Sequence, residues 1–307
     1  MIKKKIGVIF GSKSTEHDVS IVTAISSIIG PLEASDQYDV IPVYITKKGA
    51  WYSHPKLKDI SLYSSGKVDA FLSNISPVKV EMSGNGFKII DTKKFGKIST
   101  TPIDVVFPAT HGTYGEDGSL MGMLRMAGVP FVGCDMEASV IAMNKLFSHH
   151  AVEASGLESH PYIGINNYEF SSDKKTAMSK ADALTYPLFV KPVHLGSSIG
   201  ITRITKKSEL EAALDVVFSY DDTAIVEEAI SNLIEVTVPI TGTAEHTEAG
   251  LVERPLFDAG STFDFDAKYM GQGKGKNGGK KMGAKSTNGS QGYSELPAKL
   301  SDDLYEK

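Results

Sequence analysis

The sequence predicts an α/β fold in two successive parts: a doubly wound parallel sheet over residues 1–136, then an α+β assembly over 137–307. Two observations carry this. Near the N-terminus, short continuous apolar runs alternate with segments of helical period, the pattern of βαβ units. Beyond Glu137, strands follow one another closely around a Gly/Ser turn, which suits antiparallel pairing. The length of 307 residues agrees with two domains on a scale of roughly 150 residues each.

Ile6 to Phe10 is a short apolar run, as expected of a strand covered on both faces. A small-residue turn follows, then apolar residues at helical spacing from Val19 to Ile29. Asp39 to Ile45 is the next strand, and this strand–helix–strand opening implies a parallel sheet with a right-handed crossover. Residues 57–100 alternate short apolar pieces with Ser, Gly and Asn and read as a β-rich insertion. Ile103 to Phe107 is another strand, Gly118 to Ala127 a short helix probed at its start by Asp117 as cap, and Val129 to Val132 a further strand. A helix runs from Glu137 to about Ala154 and stops at Gly156. Then come a strand (Tyr162 to Ile165), a charged helix (Asp173 to Leu184), strands at Phe189 and at Ile199 to Ile204, and a helix from Ser208 to Phe218. Ser208 and Glu211 have the spacing of a capping box. Ala224 to Val226, Ile234 to Ile240 and Gly250 to Leu256 are strands, and Ser301 to Lys307 reads as a helix. Residues 270–294 are poor in apolar side chains and rich in Gly and Lys, the composition of a mobile loop.

Composition narrows the class. The chain is 41% apolar and 22% charged with a net charge of −5, which is ordinary for a globular protein and opposite to the basic footprint of a general nucleic-acid binder. Met1 to Phe10 imitates a signal peptide, but its apolar run is too short. No apolar stretch approaches the roughly 20 residues of a membrane span. The one cysteine, Cys134, forms neither an internal disulfide nor a cysteine metal cluster. A soluble cytoplasmic enzyme without nucleic-acid or membrane partners fits, and a homodimer is compatible with it.

The most informative segment is F-V-K-P-V-H-L-G-S-S-I-G-I, residues 189–201. Lys191 rides on an apolar strand, and Gly196, Ser197, Ser198 and Gly200 make a turn free of bulky side chains. Such a turn exposes backbone N–H groups in a nest for phosphate oxygens, and the lysine supplies a point charge. Gly11-Ser12-Lys13-Ser14 imitates a P-loop but lacks the glycine directly before the lysine, and no G-x-G-x-x-G follows the first strand.

The segment 189–201 resembles the second-lysine strand and glycine-rich flap of the ATP-grasp ligases, and its wording is similar to the D-alanine–D-alanine ligase branch. Four further segments fit that branch in order: G-S-K-S-T-E-H-D-V-S (11–20), H-G-T-Y-G-E-D-G (111–118), M-N-K-L (143–146) and F-D-F-D-A-K-Y (263–269). The resemblance implies a Rossmann-like pre-ATP-grasp domain (1–136) followed by a two-lobed ATP-grasp domain (137–307), incomplete here, with 270–294 as its lid. It implies that ATP phosphorylates one D-alanine and that a second attacks the acyl phosphate, for peptidoglycan precursor synthesis, with Mg²⁺ or Mn²⁺ assisting. By the same resemblance Lys145 and Lys191 hold the α- and β-phosphates beside Gly196 and Ser198, with Asn144 where the family commonly has Asp. Glu227 and Glu228 match the adenine hinge, and Glu235 is the nearest acid to the ribose position. Glu16, Ser197 and Tyr269 match the network that grips the first D-alanine's ammonium. His111 matches a substrate contact, and Lys268 a position near the γ-phosphate. Tyr269 also bears on substrate class, because relatives that make an ester with D-lactate lack it.

The family's metal ligands, and an arginine that stabilises the tetrahedral intermediate, follow the lid, so none is assigned to a residue here. The expectation is a fragment of a longer ligase, inactive by itself. A D-serine or D-lactate ligase of the same fold is the near alternative. A non-catalytic module that binds nucleotide, or RNA through the Lys-rich lid, is the alternative from another class.

Overall fold

Six consecutive residues of strand β1 (Lys4–Gly11), from Ile6 onward, are buried in the computed structural model, which describes residues 3–82, 86–92, 98–243, 245–255 and 294–305. Parallel neighbours cause this burial. β2 (Tyr38–Ile45) and β7 (Val105–Pro108) flank β1 in parallel, and β3 (Trp51–Tyr52) pairs antiparallel with β2, giving the order β3-β2-β1-β7. Successive side chains of β1 then enter opposite layers. Ile9 packs with Val43, Val106, Leu120 and Leu124, where the two leucines belong to helix α5 (Ser119–Met126). Val8 and Phe10 pack with Ile21, Ala24 and Ile29 on the helical stretch made of α1 (His17–Val22), wide turns over Thr23–Ile29 and α2 (Gly30–Glu33). That stretch is longer than the expected 19–29. Pro31 has no N–H to give the ladder, and the Gly30 N–H bonds Ile25, five residues back.

The insertion is β-rich only in its second half. Short helices α3 (Ile60–Ser64) and α4 (Val68–Leu72) come first, with Asp59 capping α3 through the Ser61 N–H at 2.9 Å. They are too short for helical periodicity to show in sequence. β4 (Lys79–Met82), β5 (Phe87–Thr92) and β6 (Ile98–Ile103) then form an antiparallel sheet. The strand expected at Ile103 to Phe107 is thus two elements parted by Asp104, whose carboxylate accepts the Lys5 N–H at 2.8 Å. Val129 to Val132 contributes only a bridge from Phe131 to Val106.

The helix expected from Glu137 to Ala154 is two helices, α6 (Met136–Met143) and α7 (Lys145–Ala154). Asn144 breaks it with extended backbone at φ −93° and ψ 109°, and its side chain accepts the Phe147 N–H at 3.0 Å. Asparagine is among the residues that cap a helix best, so a local bond outcompetes continuation. β8 (Tyr162–Asn166), β9 (Leu188–Pro192), β10 (Thr202–Ile204) and β11 (Thr223–Glu228) form a fully antiparallel sheet of order β10-β9-β11-β8. Leu210, Ala213, Leu214 and Val217 on helix α10 (Leu210–Phe218) sit at helical spacing and pack on Leu188, Val190, Ala224 and Val226. Phe189, Lys191, Ile225 and Glu227 therefore occupy the other face. This alternation is what aims the lysine and the glutamate together.

Two local expectations fail nearby. The Ser208–Glu211 capping box is absent, because a 3-10 turn occupies Lys207–Glu209 and Glu209 instead accepts the Thr205 N–H at 2.8 Å. A capping box does form at Asn166 and Glu169, opening α8 (Asn167–Ser172), and the expected helix from Asp173 is α9 (Lys174–Ser179) followed by a 3-10 turn. The strand expected from Ile199 begins only at Thr202, since Gly200 has φ +71° within a turn.

The described residues divide into two compact units, Met1–Glu228 and Ala229–Lys307. The second contains a hairpin of β12 (Ile240–Gly242) and β13 (Thr247–Ala249), the pair β14 (Arg254–Pro255) and β15 (Ser294–Glu295), and a helix at Asp302–Tyr305. Ile234 to Ile240 and, of the expected strand Gly250 to Leu256, the described residues 250–255 are not continuous strands; a Thr237–Glu253 bridge and these short pairs stand in their place, and Leu256 lies outside the described residues. Lys268, Tyr269 and residues 270–293 lie outside the described residues. No described helix is long and apolar enough to cross a membrane.

Candidate active site

Glu16 ends the turn between β1 and α1 and is 4% exposed. Both oxygens of its carboxylate accept hydroxyl protons. Ser197 Oγ donates to Oε1 at 3.1 Å, across 181 residues of chain, and Thr15 Oγ1 donates to Oε2 at 2.6 Å. Among the described residues no cation forms an ion pair with Glu16, although the Lys145 ammonium is near enough to feel its charge. A buried carboxylate with hydroxyl partners alone is costly, because its charge has left water without a counter-ion. It suits a ligand that brings its own ammonium.

Gly112 shapes the same spot. It has φ +72°, and a Cβ built on it would stand 2.3 Å from Glu16 Oε2. Gly112→Ala is expected to displace Glu16 and to weaken the Ser197 contact. The readout is amino-acid KM, expected to rise at least ten-fold, alongside about 1–2 kcal/mol of lost stability. An unchanged KM would show that the carboxylate's seat is not needed.

His111 precedes this glycine and is held from both sides. Its Nε2 lies 3.0 Å from Thr23 Oγ1, and its Nδ1 lies 4.0 Å from Glu116 Oε1. Asp117, the expected cap of α5, bonds the Ser119 N–H at 3.0 Å, although the residue at the helix boundary is Gly118 at φ +86°.

The two lysines are differently partnered. Lys145 Nζ donates to the Leu195 carbonyl at 2.5 Å. Burial, and then the neighbouring Lys191 charge, depress its pKa to about 8. Lys191 forms an ion pair with Glu227 across the β9–β11 ladder. Glu227 also accepts from His149 Nε2 at 3.1 Å, and the His149 ring stacks on Tyr162 with centroids 4.1 Å apart. Burial would push the Glu227 carboxyl up, but Lys191 and His149 outweigh it and hold it below its ordinary range. Gly196 to Gly200 form the turn beside them. Ser197 and Ser198 take left-handed φ values of +54° and +59°, strain of about 1 kcal/mol each for residues with a Cβ. Sites of function are where such strain persists.

The sequence matches the family profile "D-ala D-ala ligase N-terminus" over residues 5–134 and "D-ala D-ala ligase C-terminus" over 151–289. The chain belongs to the D-alanine–D-alanine ligase family. The D-alanine–D-alanine ligase of Clostridium acetobutylicum is 34% identical over 269 residues, which are 87% of this chain and 72% of that one. That of Thermoanaerobacter sp. strain X514 is 35% identical over 277 residues, 89% of this chain and 73% of its own. Among solved structures, the VanG D-Ala:D-Ser ligase from Enterococcus faecalis superposes with a TM-score of 0.72 at 30% identity, covering 99% of this chain and 79% of its own. The D-alanine–D-alanine ligase from Coxiella burnetii gives 0.69 at 28% identity, covering 82% and 71%. These neighbours share the ATP-grasp fold expected from the motifs.

In this family member, then, the fold brings Glu16 to Ser197 and Lys191 to Glu227, with Lys145 against the strand that leads into the Gly/Ser turn. Glu228 is turned elsewhere: its carboxylate accepts the Thr185 N–H at 2.7 Å. Glu235 is half-buried in the second unit. Tyr269 and Lys268 are outside the described residues. Thr15 and His149 escaped the sequence reading. His149 stands four residues after Lys145, hence on the same helix face, and that spacing was its available signal.

Proposed function

We propose that the protein to which this chain belongs carries out ATP-dependent ligation of two D-alanines through an acyl phosphate, supplying peptidoglycan precursor synthesis in the cytoplasm. The observation that carries this reading is the Glu16–Ser197 hydrogen bond. It ties a buried anion suited to an amino acid's ammonium to the first serine of the Gly/Ser turn, and the same turn lies next to two lysines suited to phosphates. A binding module for nucleotide alone has no use for Glu16. Family membership supports the same assignment, as does the separation of the first unit's apolar clusters into residues 6–129 and 165–226, in keeping with domains divided near 136.

In this mechanism Glu16 holds the first substrate's ammonium, so its carboxylate is presented to the γ-phosphate. A carboxylate oxygen attacks phosphorus and ADP leaves. The amine of the second D-alanine attacks the acyl carbon, inorganic phosphate departs with the C–O bond electrons, and the proton shed by the new amide nitrogen goes to that phosphate or to solvent. Lys145 and Lys191 offset phosphoryl charge, the main requirement of such a transfer. Lys191 leaves Glu227 to do so. Glu227 stays fixed by His149 and, with Glu228, belongs to the hinge along the adenine; Tyr269, Lys268, His111 and Glu235 keep the substrate and nucleotide roles that the resemblance implies.

Magnesium or manganese accompanies the nucleotide in this scheme. Among the described residues, the one cluster of metal-capable side chains is His194, Asp221 and Asp222. Its histidine and Asp221 are already bonded to each other at 3.0 Å, which does not suit a cation that prefers free oxygen ligands. No step is routed through it.

The similarity to the D-Ala:D-Ser ligase supports a second reading, with D-serine as the acceptor. Incubation of the full-length protein with ATP, D-alanine and each acceptor (D-alanine, D-serine, D-lactate), followed by phosphate release and product analysis, separates the cases. D-alanyl-D-alanine is the expected product. A D-serine product alone would replace the acceptor, and no nucleotide-dependent product would sink the ligase reading.

A further inference from the structure

Residues 193–195, which lead from β9 into the Gly/Ser turn, are held from two sides. On one side the His194 N–H donates to Asp221 Oδ2 at 2.7 Å, and His194 Nδ1 lies 3.0 Å from Asp221 Oδ1. On the other, His194 Nε2 lies 3.0 Å from Asn144 Nδ2. The Asn144 Oδ1 is committed to the Phe147 N–H, so the amide presents its NH₂ to the ring. Nε2 therefore accepts, and the proton sits on Nδ1, facing Asp221. The next residue of α7 completes the clasp: the Lys145 N–H donates to the Val193 carbonyl at 3.2 Å and its ammonium to Leu195.

We propose that His194 is a positioning residue, a neutral bridge from Asp221 to Asn144 that fixes the entry of the Gly/Ser turn and so sets Ser197 against Glu16 and Lys145 against the turn. Its consequence for ATP rests on the function proposed above; its effect on the turn does not. Protonating the ring would set an Nε2–H against the Asn144 NH₂. Either that contact opens, or Asn144 turns over and uncaps α7. The charged groups facing the ring are Asp221 and Asp222 from the α10–β11 turn. Asn144→Asp replaces the donor by an acceptor and makes the imidazolium the matched form.

The test compares the full chain with its His194→Ala, His194→Asn and Asn144→Asp variants. Two readouts are taken: hydrogen exchange of the 196–200 amides, and calorimetric ATP binding. Asn144→Asp keeps the cap of α7 but sets an acceptor against Nε2, and is expected to loosen the turn less than His194→Ala does. His194→Ala is expected to speed exchange in the turn about ten-fold, leaving β8 and β11 unchanged, and to weaken ATP binding by a similar factor. His194→Asn keeps the arm to Asp221 and recovers part of both losses. Unchanged exchange in the turn, or protection lost evenly across the sheet, would each overturn the proposal. If none of the proteins binds ATP, the ligase reading fails, and the exchange result still decides the role of His194.

Discussion

Replacing Glu16 with glutamine is expected to lower kcat/KM for the first amino acid by two to three orders of magnitude while leaving the protein as stable as before, or slightly more so. The two effects separate because the carboxylate is a liability in the free protein. It is buried, with hydroxyl donors from Ser197 and Thr15 as its direct partners and the Lys145 ammonium acting on it only at longer range. An uncharged isostere keeps the volume and removes the desolvated charge. A bound ammonium reverses the balance, since removing one partner of a buried charged pair costs about 2–5 kcal/mol. Ser197→Ala, which leaves the charge in place, is expected to cost only about ten-fold, the scale of a hydrogen bond to a charged group. Steady-state kinetics and thermal melts check both statements. Glu16→Gln with kcat/KM within a few-fold of the parent would end the ammonium assignment.

Lys145 gives the other large effect, and it depends on pH. Its folded pKa of about 8 lies below its ordinary 10.5 because of burial, then Lys191. Between these values the unfolded chain binds the proton and the folded chain does not, so stability rises with pH through that window. Below pH 8 the folded state carries a charged, half-desolvated ammonium at a penalty of roughly 3 kcal/mol. Phosphates placed beside it would restore the charge. ATP binding at pH 8 is therefore expected to take up about half a proton at Lys145. Calorimetry in buffers of different ionisation enthalpy measures this directly. Lys145→Ala should abolish the uptake and weaken ATP binding about 100-fold, the scale of a lost buried charge contact. Lys13→Ala is the control, because that ammonium rests over the Tyr114 ring at 4.6 Å. Proton uptake persisting in Lys145→Ala would mean that another group titrates.

Sequence alone determined the elements whose signal is local and repeated. The apolar run at Ile6 to Phe10 could only be a strand covered on both sides, and β1 is that strand. Apolar residues from Leu210 to Val217 announced the helix that covers the second sheet. Gly196 to Gly200, lying between Lys191 and the next strand, announced a turn with open backbone, and two serines there do adopt left-handed conformations. Ordered motifs identified the family, because each constrains residue types that chemistry requires at one place. The short helices at 60–72 stayed hidden because five residues do not show a period. The break at Asn144 stayed hidden because apolar spacing continues across it, while the deciding bond is one side chain to one N–H.

Tertiary structure decided which charges meet. Nothing in the spacing of Glu16 and Ser197 says that they touch at 3.1 Å; the folding of one sheet's turn onto another's does. Register, not composition, put Lys191 and Glu227 on one face, since a slip of a single residue in β9 would have sent the lysine into the core and turned Leu188 and Val190 out of it. His149 gained its partner in the same way, from a helix laid across the end of β11. Residue types and their local conformations were legible in the chain. Their electrostatic partners, and hence the depressed pKa of Lys145 and the unpaired charge of Glu16, exist only once distant segments have excluded water between them.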